Sequence, residues 1–329
     1  MKPNFLKATI IVVIAVIVVI LIILVFTNLN KNFAPMPETL ATKTLFSTET
    51  STKTDHPTIT ATITATITQI PSPTMTPIPV LGIGSTRINE KDGMEMVYVP
   101  EGEFQMGCDP EHKRGYFCEK DERLLHTIYL DAFWIDKYEV TTSQYEQCVA
   151  AGACAVPSKK SSSSRTSYYG NSNFDNYPVI YVLWDDAINY CSWAGKRLPT
   201  EAEWEKAARG ALDTRDYPWG DQETDCTLAN SDGCVGDTSV VGSYPTGVSP
   251  YGAMDMAGNV WEWTNDWYSS SYYSDSPINN PPGPATGTYK VFRGGSWSSY
   301  VSDLRSSYRY ASNPGVRYYN VGFRCVATP

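Results

Sequence analysis

Histidine is scarce: His56, His112 and His126 are the only three in 329 residues, and no two are spaced as an HxxxH pair. That composition disfavours a multi-histidine zinc or iron centre. No CxxC occurs, which excludes a zinc ribbon. No segment repeats at a fixed period, so solenoids and propellers are not expected. Basic residues are outnumbered, 26 Lys and Arg against 35 Asp and Glu, for a formal charge of −9. Phosphate recognition runs on Lys and Arg, so a nucleic-acid partner is not expected either.

Aromatic residues, by contrast, are abundant: 22 Tyr, 10 Phe and 9 Trp. Near the start, Ala8 to Phe26 carries no charge at all. As a helix this run reaches roughly 28 Å, close to the hydrocarbon thickness of a bilayer. It is longer than the apolar region of a cleaved signal, and Phe26-Thr27-Asn28-Leu29 offers no small-x-small site. It therefore reads as an uncleaved transmembrane anchor over 8–27. Lys2 and Lys7 precede it and Lys31 alone follows closely. The positive-inside rule puts residues 1–7 in the cytoplasm and the rest outside. Residues 28–91 read as a stalk, with fourteen Thr between Ala41 and Val80 and prolines at 57, 71, 73, 77 and 79. A flexible coil of this kind spans on the order of 45 Å and holds the folded part off the membrane.

From residue 92 to 329 the composition becomes aromatic, Gly-rich and acidic, as in one α+β domain with much irregular structure. Three helices are expected from their caps: Ser143 with Glu146, Asp185, and Thr200 with Glu203, each closed by a glycine at 152, 195 or 210. Short β-rich runs such as MVYVP, HTIYLDAFWI and KVFRGGSW lie between turn residues. All eight cysteines fall in this outer domain, where an oxidising compartment favours disulfides. Local spacing pairs Cys108 with Cys118, Cys148 with Cys154 and Cys226 with Cys234, leaving Cys191 for Cys325.

Long motifs then follow in order: GMEMVYVPEGEFQMG (93–107), IDKYEVTTSQY (135–145), PVIYVLWDDAINYCSWAGKRLPTEAEWEKAARG (178–210), YPWG (217–220), GSYPTGVSPYGAMDMAGNVWEWTNDWY (242–268), FRGGSW (292–297) and NVGFRC (320–325). Together they resemble the sulfatase-modifying-factor, or formylglycine-generating enzyme, family. The resemblance implies a single loop-rich domain related to C-type lectins and stabilised by Ca2+. It also implies an oxidase that turns a cysteine of a CxPxR segment into formylglycine with O2 and copper held by two cysteines. Those two positions are Ser299 and Leu304 here, and soft Cu(I) requires thiolate-type ligands. Copper and the family's oxidase chemistry are therefore not expected. A second family disulfide is not expected, because Ala208 stands where it would begin. Ser299 lacks a GxSxG elbow and reads as a groove hydroxyl rather than a nucleophile.

By the same resemblance, Ca2+ is expected on the Asp255 and Glu262 side chains with the Gly258 and Val260 carbonyls, a hard-oxygen set. A weaker second Ca2+ site would use Asn230 and Ser231 with Asp232 or Asp237. Arg293, Ser296, Trp297, Ser299 and Tyr300 are the groove candidates. Trp261, Trp263 and Trp267 read mainly as core. Arg293, Arg305, Arg309 and Arg324 are expected in internal ion pairs. The functional expectation is a membrane-tethered peptide- or glycan-binding module; the alternative is an oxidoreductase of the formylglycine-generating type or a related metal enzyme.

Overall fold

A computed structural model describes residues 81–111, 117–211 and 214–329. The Ala8–Phe26 run, residues 1–7, the stalk up to residue 80 and His112 lie outside the described residues. Among the described residues no helix is long and apolar enough to cross a membrane.

Short strands carry the sheet structure. β1 (Thr86–Ile88), β2 (Glu95–Val99) and β5 (Phe133–Asp136) join β10 (Val326–Ala327) in a sheet ordered β1-β2-β5-β10, all antiparallel. β3 (Gly102–Met106) and β4 (His126–Leu130) form a separate antiparallel pair. β6 (Trp261–Trp267), β7 (Lys290–Arg293), β8 (Tyr310–Ser312) and β9 (Val321–Gly322) make the third sheet, ordered β8-β7-β6-β9, with β6 and β9 parallel. The HTIYLDAFWI run is thus two strands in two sheets. It breaks at Asp131, whose N–H donates to Asn280 Oδ1 (2.9 Å) and whose Oδ2 accepts from Asn280 Nδ2 (3.0 Å). A side chain has taken the place of a ladder partner there.

Helix α1 (Thr142–Ala150) is capped two residues earlier than its sequence pattern suggests. Its cap is Thr141 with Gln144: Thr141 Oγ1 accepts the Gln144 N–H, and Gln144 Oε1 accepts the Thr141 N–H. Ser143 and Glu146 are not the cap. Helix α2 (Trp184–Trp193) begins at Trp184, with Asp186 Oδ2 accepting the Leu183 N–H at 2.9 Å, so Asp185 is inside the helix. Helix α3 (Glu201–Arg209) opens on the expected Thr200–Glu203 capping box and ends at Gly210 (φ +99°). A short α4 spans Tyr272–Asp275.

Two main cores result. One packs α1 and α2 against the third sheet through Tyr145, Tyr190, Trp263, Phe292 and Phe323. The other packs α3 against the first sheet and the β3–β4 pair through Trp204, Phe104, Phe133 and Ile128. Every cysteine of the chain is paired: Cys108–Cys118, Cys148–Cys154, Cys191–Cys325 and Cys226–Cys234. The architecture is α+β and loop-rich.

Candidate functional site

A groove of about 430 Å³ opens on the third sheet, lined by residues from all four of its strands: Trp261, Phe292, Tyr310, Ser312 and Val321. The remaining lining comes from the loops on either side of β8 and includes Ser299, Tyr300, Asp303 and Asn320. Rings form much of the wall. Trp261 lies 5.6 Å from Tyr310 and 6.1 Å from Tyr308, and Phe292 lies 5.8 Å from Tyr318, centroid to centroid. Burial, followed by the neighbouring Asp303 charge, pushes the Tyr308 hydroxyl up to about 12. Burial likewise raises Asp303, the one charged side chain of the lining.

The sequence candidates divide around this groove. Ser299 and Tyr300 line it. Ser296 lies beneath, fully buried, its Oγ bonded to the Ser298 and Ser299 hydroxyls and to Asn320 Nδ2. Trp297 is buried, 5.6 Å from Tyr319, and contributes nothing to the lining. Arg293 is elsewhere: its Nη2 bonds Glu205 Oε2 at 2.5 Å, and its guanidinium donates to the carbonyls of Ser306, Ser307 and Tyr308. Trp261 is buried in the core as expected and also contributes to the lining. Tyr308, Tyr310, Tyr318 and Tyr319 line the groove without having been singled out. The density of tyrosine between 300 and 319 was their signal in the sequence.

The other three arginines are ion-paired inside the domain. Arg305 meets Glu122, Arg309 meets Glu201, and Arg324 meets Glu262. Position 304 is a fully buried leucine beneath Gly295, where a Cβ would come within 2.4 Å of Leu304 Cδ2.

The turn 255–262 leads into the start of β6, the end that carries Trp261. Asp255 and Asn259 both adopt positive φ (57° and 56°). Gly258 (φ +82°) must lack a side chain, because a Cβ there would fall 2.4 Å from the Asn230 carbonyl oxygen. Asp255 Oδ2 accepts the Gly242 N–H at 2.6 Å. Glu262 takes Arg324 on both oxygens and the Trp204 indole N–H on Oε2. Glu139 completes the group: Oε2 accepts from Asn259 Nδ2 (2.6 Å) and Oε1 from the Val260 N–H (3.0 Å). Nothing in the sequence pattern singled out Glu139. Three buried carboxylates thus surround one guanidinium. Burial, then the charges of Asp255 and Glu262, raises Glu139 well above the usual carboxylate range, and burial raises Asp255 to about 6. The donors are all oxygen, and the excess negative charge suits a hard divalent cation. Among the described residues no three His, Cys, Asp or Glu side chains converge as a metal cluster. Any cation here would therefore depend on backbone carbonyls as well.

The region around Asn230 and Ser231 is different. Asn230 Nδ2 donates to the Asp237 carbonyl and Ser231 is buried. The Asp237 carboxylate is already saturated. It accepts from Ser162 Oγ, Ser164 N and Oγ, and the Thr238 N–H, and lies 3.3 Å from Arg165 Nη1. Burial acts to raise its pKa, yet those bonds hold it below the ordinary value. Asp232 is exposed. Asn230 Oδ1, by contrast, is buried without a hydrogen-bond partner among the described residues.

Residues 85–329 match the sulfatase-modifying factor enzyme 1-like domain family. The serine/threonine-protein kinase pkn1 of Chlamydia caviae is 37% identical over 253 residues, which is 70% of this chain and 38% of that kinase. The chain thus spans well under half of that relative's length. The formylglycine-generating enzyme of Thermomonospora curvata is 35% identical over 290 residues, covering 71% of this chain and 93% of the enzyme. Among solved structures, PvdO from Pseudomonas aeruginosa superposes with a TM-score of 0.64 at 27% identity, over 76% of this chain and 100% of PvdO. By motif order, fold and these matches, the chain belongs to the sulfatase-modifying factor enzyme 1-like (formylglycine-generating enzyme) family.

Proposed function

We propose that this chain is a non-oxidising member of its family: an extracytoplasmic recognition domain, anchored by the Ala8–Phe26 run, that binds a peptide or glycan in the groove of the third sheet. The observation that carries this reading is the state of sulfur. All eight cysteines are in disulfides, so no thiolate pair is available to hold Cu(I). At the positions that the family resemblance assigns to the copper cysteines, Ser299 lines the groove and Leu304 is buried below it. Ser299 Oγ bonds to the Ser296 N–H at 3.1 Å and to Ser296 Oγ at 3.2 Å. Among the described residues no histidine hydrogen-bonds Ser299, whose hydroxyl reads as a groove group.

A single Ca2+ on Asp255, Glu262 and the carbonyls of Gly258 and Val260 belongs to the same reading. The charge excess of Glu139, Asp255 and Glu262 over Arg324 supports it. Bound there, the ion would supply electrostatic neutralisation of the turn.

Family membership favours the competing reading, a formylglycine-generating oxidoreductase. Co-expression of the full chain with a CxPxR peptide separates the two. The proposal expects unmodified cysteine by mass spectrometry, with and without added copper. Conversion of the thiol to an aldehyde would overturn it.

A further inference from the structure

At the end of β5, one amine meets two carboxylates in a space closed to solvent. Lys196 Nζ lies 2.6 Å from Asp92 Oδ2 and 2.8 and 3.0 Å from the two oxygens of Asp136. All three side chains are fully withdrawn from water. Asp136 closes β5 and Lys196 follows α2, 60 residues further along the chain. The Cys191–Cys325 bridge fixes both backbones. The Lys196 N–H donates to the Cys191 carbonyl at 2.7 Å, and the Asp136 N–H to the Cys325 carbonyl at 2.9 Å. Stability alone does not call for this arrangement. A buried ion pair is often no better than apolar packing of the same volume, and here one cation faces two acids.

The two acids are held in different ways. Asp136 presents both oxygens to the amine, so its Cγ stands opposite the nitrogen. Its Oδ2 also accepts the Cys325 N–H at 2.9 Å. A fixed backbone donor at that oxygen stabilises negative charge that builds there when Cγ is attacked. Burial, against the pull of Lys196, raises the Asp136 carboxyl to about 6, toward the protonated form that can give up an oxygen as water. Asp92 meets the amine end-on, through Oδ2 alone. That oxygen also accepts the Tyr190 hydroxyl at 2.9 Å, and Oδ1 accepts the Met94 N–H at 3.1 Å. Such a carboxylate is placed to take a proton rather than to be attacked. Reacting groups held in contact like this reach effective molarities of about 10⁵–10⁸ M.

We propose that Lys196 and Asp136 are joined by an intramolecular amide bond, which the folded chain forms by itself with Asp92 as the proton carrier. Asp92 takes a proton from the Lys196 ammonium, and the freed amine attacks Cγ of the Asp136 carboxylic acid. Asp92 then gives its proton to the departing hydroxyl as it takes a second one from the nitrogen. One C–N bond forms, one C–O bond breaks and one water leaves; nothing is oxidised or reduced. An ammonium, a carboxylate and an acid become an amide, an acid and water, so the buried site ends without charge. The bond ties β5 to the turn after α2, and unlike the neighbouring disulfide it survives a reducing agent.

Intact-mass measurement of the purified full chain, reduced and alkylated, is the test. The expected mass lies one water below that of the sequence. Tandem mass spectrometry of a tryptic digest should find a branched peptide joining Asp136 to Lys196, with no cleavage after Lys196. Asp92→Asn, with its four disulfides formed, should keep the full sequence mass. Reduced and denatured, it should migrate more slowly on a gel than the internally cross-linked wild type. A wild type of unmodified mass, with separate Asp136 and Lys196 peptides, would overturn the proposal, and that reading needs no variant to fold. A water lost only within Asp92-Gly93 would be a succinimide and would overturn it as well. A branch at Asp92 instead of Asp136 would overturn the assignment of the two acids. An Asp92→Asn chain that loses the water as completely as wild type would overturn the role given to Asp92.

Discussion

Arg305 and Glu122, 183 residues apart, meet in the interior through two parallel hydrogen bonds of 2.7 and 2.8 Å. Both side chains are almost wholly withdrawn from water. The pair fastens the loop beneath the groove to the segment after the Cys108–Cys118 disulfide. Removing one partner leaves the other charge buried and alone, which costs about 3–5 kcal/mol. Glu122→Gln should therefore lower the urea midpoint strongly. Arg305→Lys should not rescue it, because a lysine cannot make the forked contact. A midpoint unchanged in either variant would contradict this account.

The Cys191–Cys325 bridge joins α2 to the strand pairing around β10 across a separation of 134 residues. In the chain-entropy model, closing such a loop contributes about 5 kcal/mol, and the Cys148–Cys154 loop about 2. Paired substitution of Cys191 and Cys325 by Ala should thus destabilise the domain more than the same change at 148 and 154. Chemical denaturation of the two variants side by side checks the order. The entropic argument fails if the order is reversed.

How much of this was readable beforehand depends on how local the physics is. The Thr200–Glu203 box needs only residues three apart, and it is present as expected. Three of the disulfides close loops of ten residues or fewer in separation, and the fourth follows by elimination. The division of HTIYLDAFWI between two sheets was not readable, because it depends on Asn280 reaching Asp131 from 149 residues away. Glu139 was hidden for the same reason: its partners Asn259 and Val260 are 120 and 121 residues distant. At the groove, Ser299 and Tyr300 could be placed from the motif. The internal ion pair expected of Arg293 is present, whereas Trp297 could not be told from a groove residue, because it follows the turn at the two consecutive glycines, Gly294 (φ +90°) and Gly295 (φ +75°).

Calcium should matter to the 255–262 turn. If Asp255, Glu262 and the two carbonyls hold the ion, a chelator removes the counter-charge to Glu139 and leaves like charges facing one another. The melting temperature should fall on adding EDTA and recover with excess Ca2+. For a domain of this size each kcal/mol lost is about 2–4 °C. Glu262→Gln should melt lower than wild type in Ca2+ and respond less to EDTA. An EDTA-insensitive wild type would remove the ion from the account.

Asp266 supplies a pH dependence with a definite sign. It is buried in β6, and its Oδ2 accepts the Glu201 N–H at 2.8 Å. Burial, then the nearby Glu201 carboxylate, raises it from 3.8 to about 8. The folded protein therefore keeps this proton at neutral pH, while the unfolded chain releases it near pH 4. Between those values the native state binds more protons than the unfolded state, so this group's contribution to stability falls as pH rises. It is fully present below about pH 4 and lost as pH passes through about 8. Asp266→Asn keeps the size and an oxygen to accept the Glu201 N–H but cannot ionise. Its urea midpoint, measured at intervals from pH 5 to 8, should therefore decline less than that of wild type. Parallel curves would mean that Asp266 titrates alike in both states, and that its burial beside Glu201 carries no charge cost.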